Sequence, residues 1–121
     1  MAATIGLVLD CTHPERLAEF WSAALGYTIL GAAGSYVLLV DEIGQRPKLL
    51  LQRVPEARVG KNRMHLDIET PAVDHEAARL EQLGATRLDH EPRTEHGTRW
   101  VTMADPEGNE FCICDGGQPA S

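Results

Sequence analysis

Apolar and polar positions alternate across residues 4–10, TIGLVLD, where Ile5, Leu7 and Leu9 are separated by Gly6, Val8 and Asp10. That is the period of a strand buried mainly on one face. The spacing then changes: Leu17, Phe20, Trp21, Ala24 and Leu25 fall at i, i+3, i+4, i+7 and i+8, which predicts an amphipathic helix. Thr12-His13-Pro14-Glu15 supplies its start, combining an N-cap candidate, a helix-opening proline and a capping-box glutamate. Gly26 supplies the left-handed stop. Extended stretches follow at 27–30, 35–40 and 48–54, divided by glycine- and proline-bearing turns. The first half therefore reads β-α-β-β-β, and the polar run PEARVGKNR at 55–63 forms a connector.

The second half repeats the order. Met64, Leu66 and Ile68 alternate with His65, Asp67 and Glu69 as a half-buried strand. Thr70-Pro71 opens a second helix whose apolar stripe is Val73, Ala77, Leu80 and Leu83, and Gly84 closes it. Leu83-Gly84-Ala85-Thr86 echoes Leu25-Gly26-Tyr27-Thr28, so the halves read as copies. Strands near 87–88, 98–103 and 110–114 complete the second copy. The last two are joined by Asp105-Pro106-Glu107-Gly108-Asn109, in which proline presets φ and glycine permits a positive one.

Composition narrows the function classes. A chain of 121 residues, 43% hydrophobic and 24% charged, suits one globular domain with room for a single cavity. A net charge of −7 without any Lys/Arg cluster argues against nucleic acid as a partner. The apolar run from Ile5 to Leu9 is too short for a signal peptide or a membrane span, so no membrane association and a cytoplasmic location are expected. Cys11, Cys112 and Cys114 are odd in number and are expected as reduced thiols.

The duplicated βαβββ pattern closing on Asp105-Pro106-Glu107-Gly108-Asn109 resembles the vicinal-oxygen-chelate superfamily. That superfamily includes glyoxalase I, bleomycin-resistance proteins, fosfomycin-resistance enzymes and extradiol dioxygenases. PERLAEFWSAALGYT at 14–28, KNRMHLDIET at 61–70, ARLEQLGAT at 78–86 and MADPEGNEFCICD at 103–115 carry the resemblance, which points to the glyoxalase-like subgroup. It implies an α+β fold in which two βαβββ modules, about 4–56 and 62–118, form a cupped, mostly antiparallel mixed sheet around a cavity, with helices outside. It also implies a homodimer, with modules paired within one chain or across two.

In the enzymes of this superfamily, a divalent metal is held by the first and last strands of each module. Here the first-strand place of module one falls on Gly6, which has no side chain to offer, and that of module two on His65. The closing-strand place after the DPEGN turn falls on Cys112, and its counterpart on Leu50 or Gln52, with the register open between them. Imidazole, thiol and a neutral amide lack the anionic oxygens that magnesium or manganese prefers, so no cofactor is expected; His65 is the ligand if a metal binds.

Alternation puts His65, Asp67 and Glu69 on one strand face, with Asp67 close enough to orient the imidazole as a general base or to satisfy it structurally. Cys112 and Cys114 share the face of Glu110, where packing is the commoner role for a thiol without a basic neighbour. Tyr36 and Trp100 are candidates for pocket walls that stack on a flat ligand. The candidate pocket is thus Tyr36, Gln52, His65, Asp67, Trp100, Glu110 and Cys112, with Arg63 flanking it for an anionic ligand. His13, His75, His90 and His96 fall at caps, on a helix surface or in turns. Three functions compete. The first is metal-free small-molecule binding, for instance sequestering a toxic or natural-product ligand. The second is a lyase or isomerase using His65 as metal ligand or general base, with Asp67 beside it. The third is a structural partner of another chain, for which the cavity would be filled.

Overall fold

The computed structural model describes residues 5–60, 62 and 64–115. It divides into two compact units, Met1–Arg58 and Val59–Ser121, each with one helix over a mixed sheet. The α+β class that the resemblance implies is what the chain adopts. No described helix is long and apolar enough to cross a membrane.

The first unit contains β1 (Leu7–Cys11), α1 (Pro14–Leu25), β2 (Thr28–Ala33), β3 (Tyr36–Val40) and β4 (Leu49–Arg53), with strand order β1-β4-β3-β2. The β1–β4 pair is parallel and the others antiparallel. Val37, Leu39, Leu49 and Leu51 point to one side and are buried with the α1 stripe of Leu17, Ala18, Phe20, Trp21 and Ala24. The 3.6-residue and two-residue periods meet there, which is why this sequence closes its core. Trp21 lies at its centre, its ring edge-on to Phe20 with centroids 5.1 Å apart. Pro14 occupies the first helical turn, so the N-cap falls on His13 rather than Thr12 and makes no side-chain cap bond. Gly26 ends the helix at φ 70°, as expected. Ile5, expected on the buried face, is 72% exposed because it precedes β1 and has no strand partner.

The second unit contains β5 (Asp67–Glu69), α2 (Val73–Gln82), β6 (Thr86–Arg87), β7 (Arg93–Glu95), β8 (Thr98–Ala104) and β9 (Glu110–Cys114), in order β5-β9-β8-β6 with β7 also on β8. Val101, Met103, Phe111 and Ile113 are buried with Val73, Ala77 and Leu80 of α2. The helix begins at Val73, later than Thr70-Pro71 implied, because the Thr70 hydroxyl accepts the Ala72 N–H in a turn before the first helical residue. Leu83 falls past the helix end and is half exposed. The first strand is shorter than its pattern. Met64 is 80% exposed and only Asp67–Glu69 pairs, parallel to β9. The β7 strand was not expected: His96 and Gly97 take φ of 52° and 77°, a two-residue turn that folds Arg93–Glu95 back on β8.

Asp89 binds the edge of β8 between the stretches paired by β6 and β7. Its Oδ2 accepts the Thr102 N–H at 3.0 Å, and Arg93 lies 3.2 Å from Oδ1. Burial pushes the carboxyl up, but the bonds from Thr102 and the Arg93 charge more than offset this and hold it below the ordinary carboxylate value. A depressed folded pKa contributes stability that is full above the unfolded value of about 4 and fades as pH falls through the folded one. Asp89→Asn is therefore expected to cost most at neutral pH and progressively less toward acid, measured as urea midpoints across a pH series. A cost independent of pH would assign the effect to packing instead.

Candidate functional site

The site grows from the β8–β9 hairpin. Asp105 is 3% exposed, and its Oδ1 accepts the N–H groups of Glu107 and Asn109, each at 2.9 Å. The Asn109 amide donates to both carboxylate oxygens, and the Asp105 N–H reaches the Asn109 carbonyl at 2.8 Å. Gly108 completes the turn at φ 84°. This turn sets the register Ala104↔Glu110, Thr102↔Cys112 and Trp100↔Cys114. Since Val101, Met103, Phe111 and Ile113 are taken by the core, Thr98, Trp100, Thr102, Cys112 and Cys114 occupy the opposite face. Parallel pairing of β5 brings Asp67 alongside Cys112, and the Cys112 N–H donates to the Leu66 carbonyl at 2.9 Å.

On this face a pocket of about 220 Å³ is lined by His65, Asp67, Thr98, Trp100, Cys112 and Cys114. His65 precedes the strand, and its ring turns back so that Nε2 lies 3.1 Å from Asp67 Oδ1. Same-face neighbours on a strand start about 7 Å apart at the backbone, and the imidazole and carboxylate lean toward each other to close that distance. Both side chains are about half exposed, at 42% and 52%. In that setting the pair adds little stability; its value is to fix the direction of the imidazole. A nitrogen of His65, an oxygen of Asp67 and the Cys112 sulfur all lie within 4.8 Å of one another. Burial pushes the Cys112 thiol up. The Thr102 hydroxyl, 3.8 Å away, opposes this, and the charges of Asp67, Cys114 and Asp89 reinforce it. The thiol form is favoured, in keeping with a side chain that is not by itself an activated nucleophile.

Among the expected site residues, His65, Asp67, Trp100 and Cys112 are brought together. Glu110 shares their face but is absent from the lining. It stands opposite Ala104 by the turn, beyond the first paired residue of β5. Tyr36 and Gln52 belong to the first unit, where they face each other across β3 and β4 in line with Asp10, and neither lines this pocket. Arg63 lies outside the described residues. Thr98 was missed, although its two-residue spacing from Trp100 carried the signal, and Cys114 proves to be a wall as well as a face-mate of Cys112. The open register is settled by internal comparison. Val8 pairs with Leu50 as Asp67 pairs with Cys112, so Leu50, not Gln52, is the counterpart of Cys112. The first-unit equivalents of His65, Asp67 and Cys112 are thus Gly6, Val8 and Leu50, a set without a donor side chain.

Arg79, Arg87 and Arg99 are held by Glu76, Glu81 and Asp74 at 2.7, 3.6 and 2.6 Å.

The sequence model of a family described as a glyoxalase-like domain matches residues 6–114. No sequence among the curated proteins matches the chain. Among solved structures, a glyoxalase/bleomycin resistance protein/dioxygenase family enzyme from Burkholderia phytofirmans is similar at TM-score 0.73 and 16% identity, covering 89% of this chain and 94% of that one. The fosfomycin resistance protein FosX of Listeria monocytogenes, complexed with Mn(II) and a dihydroxypropylphosphonic acid, is similar at TM-score 0.74 and 15% identity, covering 96% and 92%. Lactoylglutathione lyase from Agrobacterium tumefaciens is similar at TM-score 0.69 and 22% identity, covering 97% and 96%. At these identities the likeness is one of fold.

Proposed function

The chain belongs to the glyoxalase-like domain family, and from that premise we propose that it binds a small organic molecule in the second-unit pocket, without a magnesium- or manganese-type chelate. The observation that carries this is the pocket itself: about 220 Å³, with Trp100 as one wall and the His65–Asp67 pair already oriented at 3.1 Å. The pocket is smaller than the roughly 300–1,000 Å³ of drug-sized sites, which favours a compact ligand. Trp100 offers a flat apolar surface, and His65 a directed donor or acceptor, so the ligand combines a planar part with one polar group. A hard divalent ion wants carboxylate and carbonyl oxygens, whereas this face offers one carboxylate, one imidazole and thiols, and the first-unit equivalents offer nothing.

An enzymatic reading rests on the same pair. An imidazole fixed by a carboxylate is the arrangement of a general base, and neighbours in fold include a lyase and a fosfomycin resistance protein. Such an activity would be lyase- or isomerase-like, with His65 moving the proton and Asp67 positioning it. The test serves both readings. Backbone amide NMR of the protein, titrated with a panel of small polar aromatic compounds, is expected to show shifts clustered at 65–67, 98–102 and 112–114. His65→Ala should then weaken the best binder several-fold, matching the roughly 0.5–1.5 kcal/mol of a hydrogen bond. Shifts clustered elsewhere, or affinity indifferent to both His65→Ala and Trp100→Ala, would sink the proposal.

A further inference from the structure

The disagreement between this donor set and a hard-metal chelate has chemical content of its own. Zinc binds imidazole nitrogen, carboxylate oxygen and thiolate sulfur at about 2.0–2.3 Å, which places neighbouring ligand atoms of a tetrahedral shell roughly 3.3–3.8 Å apart. His65 and Asp67 are already at 3.1 Å, and the whole set of His65, Asp67 and Cys112 spans no more than 4.8 Å, so small side-chain rotations close it around one ion. The backbone holds the set in place: Asp67 and Cys112 are register partners on adjacent parallel strands. No Lys or Arg is among the described residues lining the pocket, so no protein cation competes for Asp67 there.

We propose that the second unit by itself carries a nitrogen, oxygen and sulfur site for a thiophilic divalent ion of the zinc class, with Asp67 as a direct ligand and the fourth position facing the pocket. The proposal departs from a shell shared between the two halves, because Gly6, Val8 and Leu50 supply no donor. It also predicts a selectivity. Sulfur and imidazole favour zinc, cobalt or cadmium over manganese or magnesium, whose preference is for oxygen. Binding releases the Cys112 proton to solvent and leaves the sulfur as thiolate on the ion. The inference rests on the pocket described above only in that the donors line it, and it is read without any organic ligand.

Cobalt(II) titrated into the full-length, metal-stripped and reduced protein is the test. A near-ultraviolet thiolate-to-cobalt charge-transfer band is expected, displaced by zinc and unaffected by the same concentration of manganese. Cys112→Ser should abolish the band, Cys114→Ser should retain it, and Asp67→Asn should weaken cobalt binding at least tenfold. No band, a band that survives Cys112→Ser, or manganese displacing cobalt as well as zinc does would overturn the proposal. The competition between zinc and manganese uses the unaltered protein, so it decides even if a variant fails to fold. A band without any small-molecule binding would remove the organic-ligand reading and leave the ion site; binding without a band would do the reverse.

Discussion

Trp21→Ala is expected to destabilise the protein by about 3–5 kcal/mol, the range for removing a buried large aromatic side chain. Trp21 is 1% exposed and packs edge-on with Phe20, on a helix whose neighbours Leu17, Ala18 and Ala24 are also buried. Truncation leaves a cavity that residues in the surrounding sheet, Leu39 and Leu51 among them, cannot fill without distorting strands already fixed by their register. Against a total stability of about 5–15 kcal/mol for a domain of ordinary size, such a loss moves the urea midpoint by a large fraction of its value. Far-UV circular dichroism is the suitable probe, because the substitution also removes one of only two tryptophans as a fluorophore. Trp21→Phe should recover part of the loss by keeping an aromatic ring in the same space. A midpoint shift worth less than about 1 kcal/mol, far below the cavity range, would mean that this core relaxes around the missing ring.

Asp105→Ala is expected to cost about 3 kcal/mol and to weaken the site as well. The carboxylate is buried and accepts from two backbone N–H groups and from the Asn109 amide. Removing it strands these buried and half-buried donors, and each unsatisfied buried group costs about 1–3 kcal/mol. The same turn sets the β8–β9 register, and with it the placement of Thr102 and Trp100 beside Cys112 and Cys114. Loss of the turn should therefore lower both the denaturation midpoint and the affinity for whatever the pocket or its donor set binds. Asp105→Asn keeps one acceptor oxygen and should lose less. If alanine and asparagine prove equal, the acceptor geometry is not what holds the hairpin.

Much of this was legible in the residues. Two-residue alternation identified the faces of β1 and β9, and the spacing of Leu17, Phe20, Trp21 and Ala24 identified the buried stripe of α1, because both periods are local consequences of backbone geometry. The proline and glycines of the DPEGN and Leu-Gly turns located the element ends for the same reason. The placement of His65, Asp67 and Cys112 near one another was anticipated from strand order and resemblance.

Tertiary structure alone decided the remainder. Pairing β5 with β9 in parallel is a choice between distant segments, and nothing within either states that Asp67 stands opposite Cys112 or Val8 opposite Leu50. Those registers put Leu50 opposite Val8 and left Glu110 short of the paired stretch of β5, while Met64, apolar in the local pattern, is exposed. His65 stands just before the paired stretch of β5, and only the folded chain shows its Nε2 3.1 Å from Asp67. Local periodicity settles which way a side chain faces along a strand; only the packed sheet settles what it faces.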